Sequence, residues 1–162
     1  MENLPLSTDN SLDDVVARYS TLVYRLAVSQ MKNPTDADDV FQDVFFRYIR
    51  RKPIFSSEEH QKAWFIRVTL NCCRNVFNSV WKQRIVPLED KFVFEDEEEN
   101  DLYNELQKLP AKYRAVIHLF YYEDMSVTEI CEMLGNKPSA VKMRLSRARK
   151  MLREILKEGY NV

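Results

Sequence analysis

The sequence predicts an all-α protein of two small helical domains joined by a flexible, acidic linker, and three observations support that class. Only two glycines, Gly135 and Gly159, and six prolines occur in 162 residues, too little punctuation for many-turned β structure. Apolar residues recur at intervals of three and four over long stretches, the spacing that lines one face of a helix. Charge is segregated beneath a net of only −1: residues 1–85 carry 12 basic and 10 acidic side chains, 86–109 carry 2 and 9, and 110–162 carry 10 and 6. The expected division is a domain over 1–85, a linker over 86–100 and a second domain over 101–162.

The first domain reads as three helices. Ser11-Leu-Asp-Asp14 starts the first, with Val15, Tyr19, Leu22, Val23, Leu26 and Ala27 at core spacing, and Asn33-Pro34 stops it. Thr35 is expected to cap the second helix, with Asp36 and Asp38 favoured at the positive end of its dipole. That helix runs through Val40, Phe41, Val44, Phe45 and Tyr48 to Arg50-Arg-Lys52 before Pro53. A loop over 53–57 precedes a third helix, which opens at Ser56-Ser-Glu-Glu59 and is expected to reach about Lys82.

On that third helix Phe65, Val68, Thr69, Cys72 and Val76 gather on one side, while Arg67, Asn71, Arg74, Asn75, Asn78 and Lys82 form a stripe opposite, flanked by Trp64 and Trp81. No acidic residue occurs between His60 and Leu88. Cations neutralise phosphates, amides pair with base edges, and indoles stack on unpaired bases. A tryptophan at such a position equally suits simple packing, but a long surface free of carboxylates suggests a polyanionic partner. The following stretch, Pro87 to Asn100, has no helical period and ends in an acidic run whose charges repel, so it reads as the tether.

In the second domain Ser126-Val-Thr-Glu129 is a capping box, Ile130, Met133 and Leu134 share a face, and Gly135 follows where a helix end favours positive φ. Pro138 opens a longer helix in which Val141, Leu145, Ala148, Leu152, Ile155 and Leu156 form a narrow apolar stripe. Ser139, Lys142, Met143, Ser146, Arg147 and Lys150 point away from it. Between Lys137 and Glu158 stand eight basic and two acidic residues. Short helix, turn and long basic helix make a helix-turn-helix, whose second helix fits the major groove of DNA.

Cys72, Cys73 and Cys131 fit neither a disulfide framework nor zinc spacing and read as buried hydrophobes. His60 and His118 are isolated. No apolar run approaches the length of a membrane span and the N-terminus lacks a signal segment, so a cytoplasmic protein without membrane insertion is expected, with no cofactor.

These residues carry a family resemblance over nearly the whole chain. Tyr19 to Ala27, Asp36 to Tyr48 and Ala63 to Asn75 in the first domain, then Leu109 to Ile117, Tyr122 to Ile130 and Val141 to Arg149 in the second, follow in order the pattern of the extracytoplasmic-function (ECF) sigma factors of bacterial RNA polymerase. The resemblance implies sigma region 2 over 1–85 and sigma region 4 over 101–162. It implies that Asp39, Gln42, Asp43, Phe46 and Arg47 bind core RNA polymerase. Phe55 and Ser56, with Ile54 and Ser57, are implied in the pocket for a base flipped from the minus-ten element, beside Trp64, Arg67, Asn71, Arg74, Asn75, Asn78 and Lys82 on the strand. Ser139, Lys142, Met143, Ser146, Arg147 and Lys150 are implied at the minus-thirty-five element, with Lys150, Arg149 and Arg153 nearer phosphates. Promoter DNA and core polymerase are the implied partners, the free chain is implied to be a monomer, and anti-sigma factors are common partners in the family, although no docking site for one is legible. The chain departs from the pattern at Asn136-Lys137, which removes the hydrophobic staple and side-chain cap that usually precede the recognition helix.

Two other readings make contrary claims. Asp36, Asp38, Asp39 and Asp43 could supply oxygen ligands to magnesium in an enzyme, but the sequence offers no second acidic cluster and too few helices to enclose a cavity. A dimeric helix-turn-helix regulator would bind operator DNA without polymerase.

Overall fold

The computed structural model describes residues 11–79, 92 and 94–160. The chain separates after Asp90 into two compact units. Among the described residues there are seven α-helices and no strand, and no helix is long and apolar enough to cross a membrane.

The first unit packs α1 (Leu12–Gln30), α2 (Pro34–Arg51) and α3 (Glu58–Asn78) pairwise against one another. Ser11 caps α1 by accepting from the Asp14 amide at 3.2 Å, and the six expected core residues of this helix are buried. Asn33, not Thr35, caps α2: its Oδ1 accepts from the Asp36 amide at 2.8 Å, while Pro34 takes the first helical position and Thr35 falls inside the first turn. The fixed φ and missing N–H of proline suit that position, which moves the cap to the residue before it. At the other end Lys52 adopts a left-handed φ of 46° and lets the chain turn away.

The core is aromatic. Phe65 of α3 stacks on Tyr19 of α1 with centroids 4.5 Å apart and also meets Phe45 and Tyr48 of α2. Gln61, fully buried beside them, accepts from the Tyr19 hydroxyl at 3.1 Å and from Arg18 at 3.3 Å. Helix α3 ends at Asn78, short of the expected Lys82: Ser79 is already extended, with φ −74° and ψ 131°. Asn78 and Ser79 are weak helix formers because their side chains compete with backbone groups. Trp81 and Lys82 lie outside the described residues.

In the second unit α4 (Glu97–Gln107) begins inside the acidic run that the sequence assigned to the tether. Asp96 caps it by accepting from the Glu98 amide at 2.9 Å. Glu97, Glu98 and Glu99 then occupy its first turn, where the partial positive charge of the helix end offsets their mutual repulsion. Helix α5 (Ala111–Ile117) continues into a π-helical turn, His118–Tyr122, followed by the short helix α6 (Val127–Leu134) and the long helix α7 (Pro138–Tyr160). Both bonds of the predicted capping box at Ser126 and Glu129 are present, and Gly135 closes α6 at φ 69°. Val116, Leu119, Ile130, Val141, Leu145 and Ala148 form the heart of this core. Arg114, buried among them, donates to the Leu109 carbonyl at 2.9 Å and so fixes the turn between α4 and α5.

Candidate nucleic-acid interface

Helix α7 presents the face expected of it. Val141, Leu145 and Ala148 are buried and Leu152, Ile155 and Leu156 half-buried, whereas Ser139, Lys142, Met143, Ser146, Arg147 and Lys150 are all exposed. The helix starts at Pro138 despite the missing staple. The Lys137 carbonyl accepts from the Val141 amide at 3.2 Å, so backbone pairing and the fixed φ of proline start the turn. Met143, 50% exposed in the middle of this face, is an apolar side chain suited to a thymine methyl.

Arg149 and Arg153 stand apart from the other cations of α7. Arg149 donates from Nε to the Tyr121 hydroxyl at 2.8 Å and lies over the Phe120 and Tyr121 rings. Arg153 donates back to the Arg149 carbonyl at 3.4 Å. These contacts escape the sequence because the π-helical turn that carries Tyr121 has no pattern of its own. The only cue is the adjacent aromatic trio Phe120, Tyr121 and Tyr122.

In the first unit Arg67, Asn71, Arg74, Asn75 and Asn78 are all exposed on one side of α3, opposite buried Phe65, Val68, Thr69 and Cys72. The carboxylate-free stripe is thus a surface. Trp64 is half-buried, meeting Phe65 edge to face at 5.0 Å and Tyr48 at 6.0 Å, which makes packing its main occupation.

Phe55 is 2% exposed, with its ring 5.4 Å from His60 and 5.9 Å from Trp64, so it forms the floor of the loop. A phenylalanine beside a tryptophan is drawn inward by the hydrophobic effect. Its neighbour Ile54 is 75% exposed, an apolar side chain left in the open on this loop. Ser56 is exposed and its Oγ lies 3.3 Å from His60 Nδ1.

On α2, Asp39, Gln42 and Asp43 are exposed, Phe46 is 62% exposed, and Arg47 is half-buried in an ion pair with Asp43 at 3.4 Å. Arg50 covers the Phe46 ring at 5.5 Å. Beneath this face lies Cys72 of α3. Burial, followed by a hydrogen bond to Asp43, pushes its thiol up to about 12. All three cysteines are buried, and none forms a disulfide. Among the described residues no group of three or more His, Cys, Asp or Glu is arranged to hold a metal ion.

Family models match both units: "Sigma-70 region 2" over residues 15–83 and "Sigma-70, region 4" over 99–152. The RNA polymerase sigma factor SigV of Bacillus subtilis is 31% identical over 135 residues, covering 80% of this chain and 81% of that protein. The ECF RNA polymerase sigma factor SigW of the same organism is 26% identical over 167 residues, covering 90% and 88%. Among solved structures, CnrH in complex with the cytosolic domain of CnrY matches with a TM-score of 0.71 at 27% identity, over 94% of this chain and 92% of that one. Two family domains in order, presented on the helices just described, place this chain among the extracytoplasmic-function sigma factors, which bind core RNA polymerase and direct promoter-specific initiation of transcription.

Proposed function

We propose that the two units divide the promoter between them: α7 reads the minus-thirty-five element as duplex, and α3 holds the minus-ten element as a separated strand. The observation that carries this division is the difference in chemistry between the two exposed faces. The face of α7 mixes Lys142, Arg147 and Lys150 with small Ser139 and Ser146, a slim cationic surface that fits a major groove. The face of α3 alternates Arg67 and Arg74 with Asn71, Asn75 and Asn78, donors and acceptors suited to a backbone and base edges that duplex pairing no longer conceals. Lys82 extends the α3 set in the sequence. At the start of α3, exposed Ile54 and Ser56 form the mouth of a base pocket and Phe55 supports them from below. Trp64 reaches a base only at its exposed edge.

Asp39, Gln42, Asp43, Phe46 and Arg47 form the polymerase-docking face of α2, where carboxylates and an amide surround one exposed aromatic ring. Such a ring ringed by polar groups has the make-up of an interface anchor. Base capture requires unstacking, which costs a few kcal/mol per step, so strand separation depends on binding energy from the polymerase. The chain therefore works as a monomer in the cytoplasm and binds promoters weakly by itself. CnrH, solved with the cytosolic domain of CnrY, supports a polypeptide partner for this chain as well, and the family resemblance makes an anti-sigma factor the expected one.

Transcription in vitro with core polymerase on a pool of genomic fragments, with start sites mapped, tests the division. Changes at Arg74 and Asn75 are expected to abolish open-complex formation on every promoter. Changes at Lys142 and Arg147 are expected to alter which promoters are chosen. If Arg74 and Asn75 variants transcribe normally, α3 does not hold the strand.

A further inference from the structure

An exposed arginine is ordinarily a mobile one, because fixing its head sacrifices rotamer freedom without removing apolar surface from water. Arg149 is an exception. Its Nε donates to the Tyr121 hydroxyl at 2.8 Å, and its guanidinium carbon lies 5.3 Å from the Phe120 ring centre and 5.6 Å from that of Tyr121. Those two rings meet nearly at right angles, 77°, and hold the guanidinium as a bracket would. Burial does not account for the arrangement, since Arg149 is exposed and Tyr121 is 52% exposed.

The position of this bracket on α7 is informative. Lys142, Ser146, Arg149 and Arg153 follow at i, i+4, i+7 and i+11, so they form one row along the helix, on the flank of the face that carries Arg147 and Lys150. A guanidinium has five donors in a rigid fork. With Nε given to the phenol oxygen, the two terminal amino groups are left as a pair whose direction is set in advance. A fixed pair of charged N–H groups matches the oxygens of a phosphate, and ordering it before binding removes an entropic cost from the encounter.

We propose that Phe120 and Tyr121 are positioning residues for Arg149, the arginine that the family resemblance already sets beside phosphate, and that they hold its guanidinium ready to clamp a backbone phosphate flanking the bases read by α7. The inference rests on the reading that α7 enters the major groove, and it adds an anchor point supplied from outside the recognition helix. Phosphate contacts set the register of a protein on the duplex without reading sequence. The π-helical turn therefore acts on recognition through Arg149 while touching no base.

The experiment uses holoenzyme reconstituted from core polymerase and the full chain, with affinity for a set of promoter duplexes varied in the upstream element and measured across a series of salt concentrations. Arg149→Ala is expected to weaken all duplexes alike and to lower the slope of log affinity against log salt by about one. Tyr121→Phe, which keeps the ring and deletes the hydroxyl, is expected to weaken binding about three- to tenfold in the otherwise native chain. In the Arg149→Ala background it should have no further effect. Full additivity of the two changes, or a change in sequence preference on loss of Arg149, overturns the proposal. An unaltered Arg149→Ala holoenzyme together with a weakened Lys142→Ala one overturns the clamp and leaves the reading of α7 standing. Silence of Arg149→Ala, Lys142→Ala and Arg147→Ala together overturns that reading too.

Discussion

His118 Nε2 lies 3.2 Å from Glu123 Oε1, bridging the π-helical turn that joins α5 to the helix-turn-helix, with only 8% of the His118 side chain and 10% of the Glu123 side chain exposed. Tyr122 stacks on the imidazole at 5.3 Å. Next to this pair Asp124 takes a left-handed φ of 51°, which redirects the chain toward Met125 and the capping box. The bridge therefore closes a strained connection. His118→Leu leaves the Glu123 carboxyl without its partner and is expected to cost about 1–3 kcal/mol, read as a lower denaturation midpoint of the second unit. Glu123→Gln, which retains a hydrogen-bonding oxygen, should cost less.

The capping box fixes where α6 begins. Ser126→Ala removes the acceptor for the Glu129 amide, now bonded at 3.1 Å, and is expected to destabilise the second unit by about 1 kcal/mol, with Ser126→Gly less harmful. Thermal melts followed by circular dichroism compare the two.

Cys72 makes a pH prediction. Its pKa rises from 9.0 to about 12, first through burial and then through the hydrogen bond to Asp43. The raised value means that the fold favours the neutral thiol. The stabilisation is complete below the unfolded value near 9 and is lost as pH climbs through the window toward 12. Denaturant unfolding on the alkaline side should therefore show stability falling with pH, less steeply in Cys72→Ala. Thiol reagents should label Cys72, Cys73 and Cys131 only on unfolding, since all three are buried.

Phe46 separates folding from docking. At 62% exposure its truncation to alanine should change the stability of the first unit by no more than about 0.5 kcal/mol. Binding to core polymerase should nevertheless weaken, and a pull-down paired with circular dichroism checks both halves.

Lys142 and Arg147 stand on the exposed face of α7. Exchange of either for alanine is expected to cost about 1–3 kcal/mol in recognition of the upstream element where it makes a bidentate base contact. Competition between matched and mutated duplexes measures that discrimination.

Most of this architecture is legible in the residue pattern because periodicity reports burial directly. The stripe Val141, Leu145, Ala148 and the stripe Phe65, Val68, Cys72 are inside, and the polar stripes opposite them are outside. Local competition is harder to read. Asn33 and Thr35 are both good caps, and only Pro34 between them decides which is used. Glu97 to Glu99 read as a repelling run until Asp96 is seen to start a helix beneath them. Long-range packing leaves least trace: nothing in the order of residues shows that Phe55 is covered by His60 and Trp64, or that Tyr121 reaches Arg149.

The most direct measurement is equilibrium binding of the purified full chain to a cognate promoter duplex, with and without core polymerase, alongside its mass in solution. A monomer that binds the duplex weakly alone and selects it strongly once polymerase is added is the predicted result. A stable dimer that occupies the same duplex with equal affinity and selectivity in the absence of polymerase would contradict it.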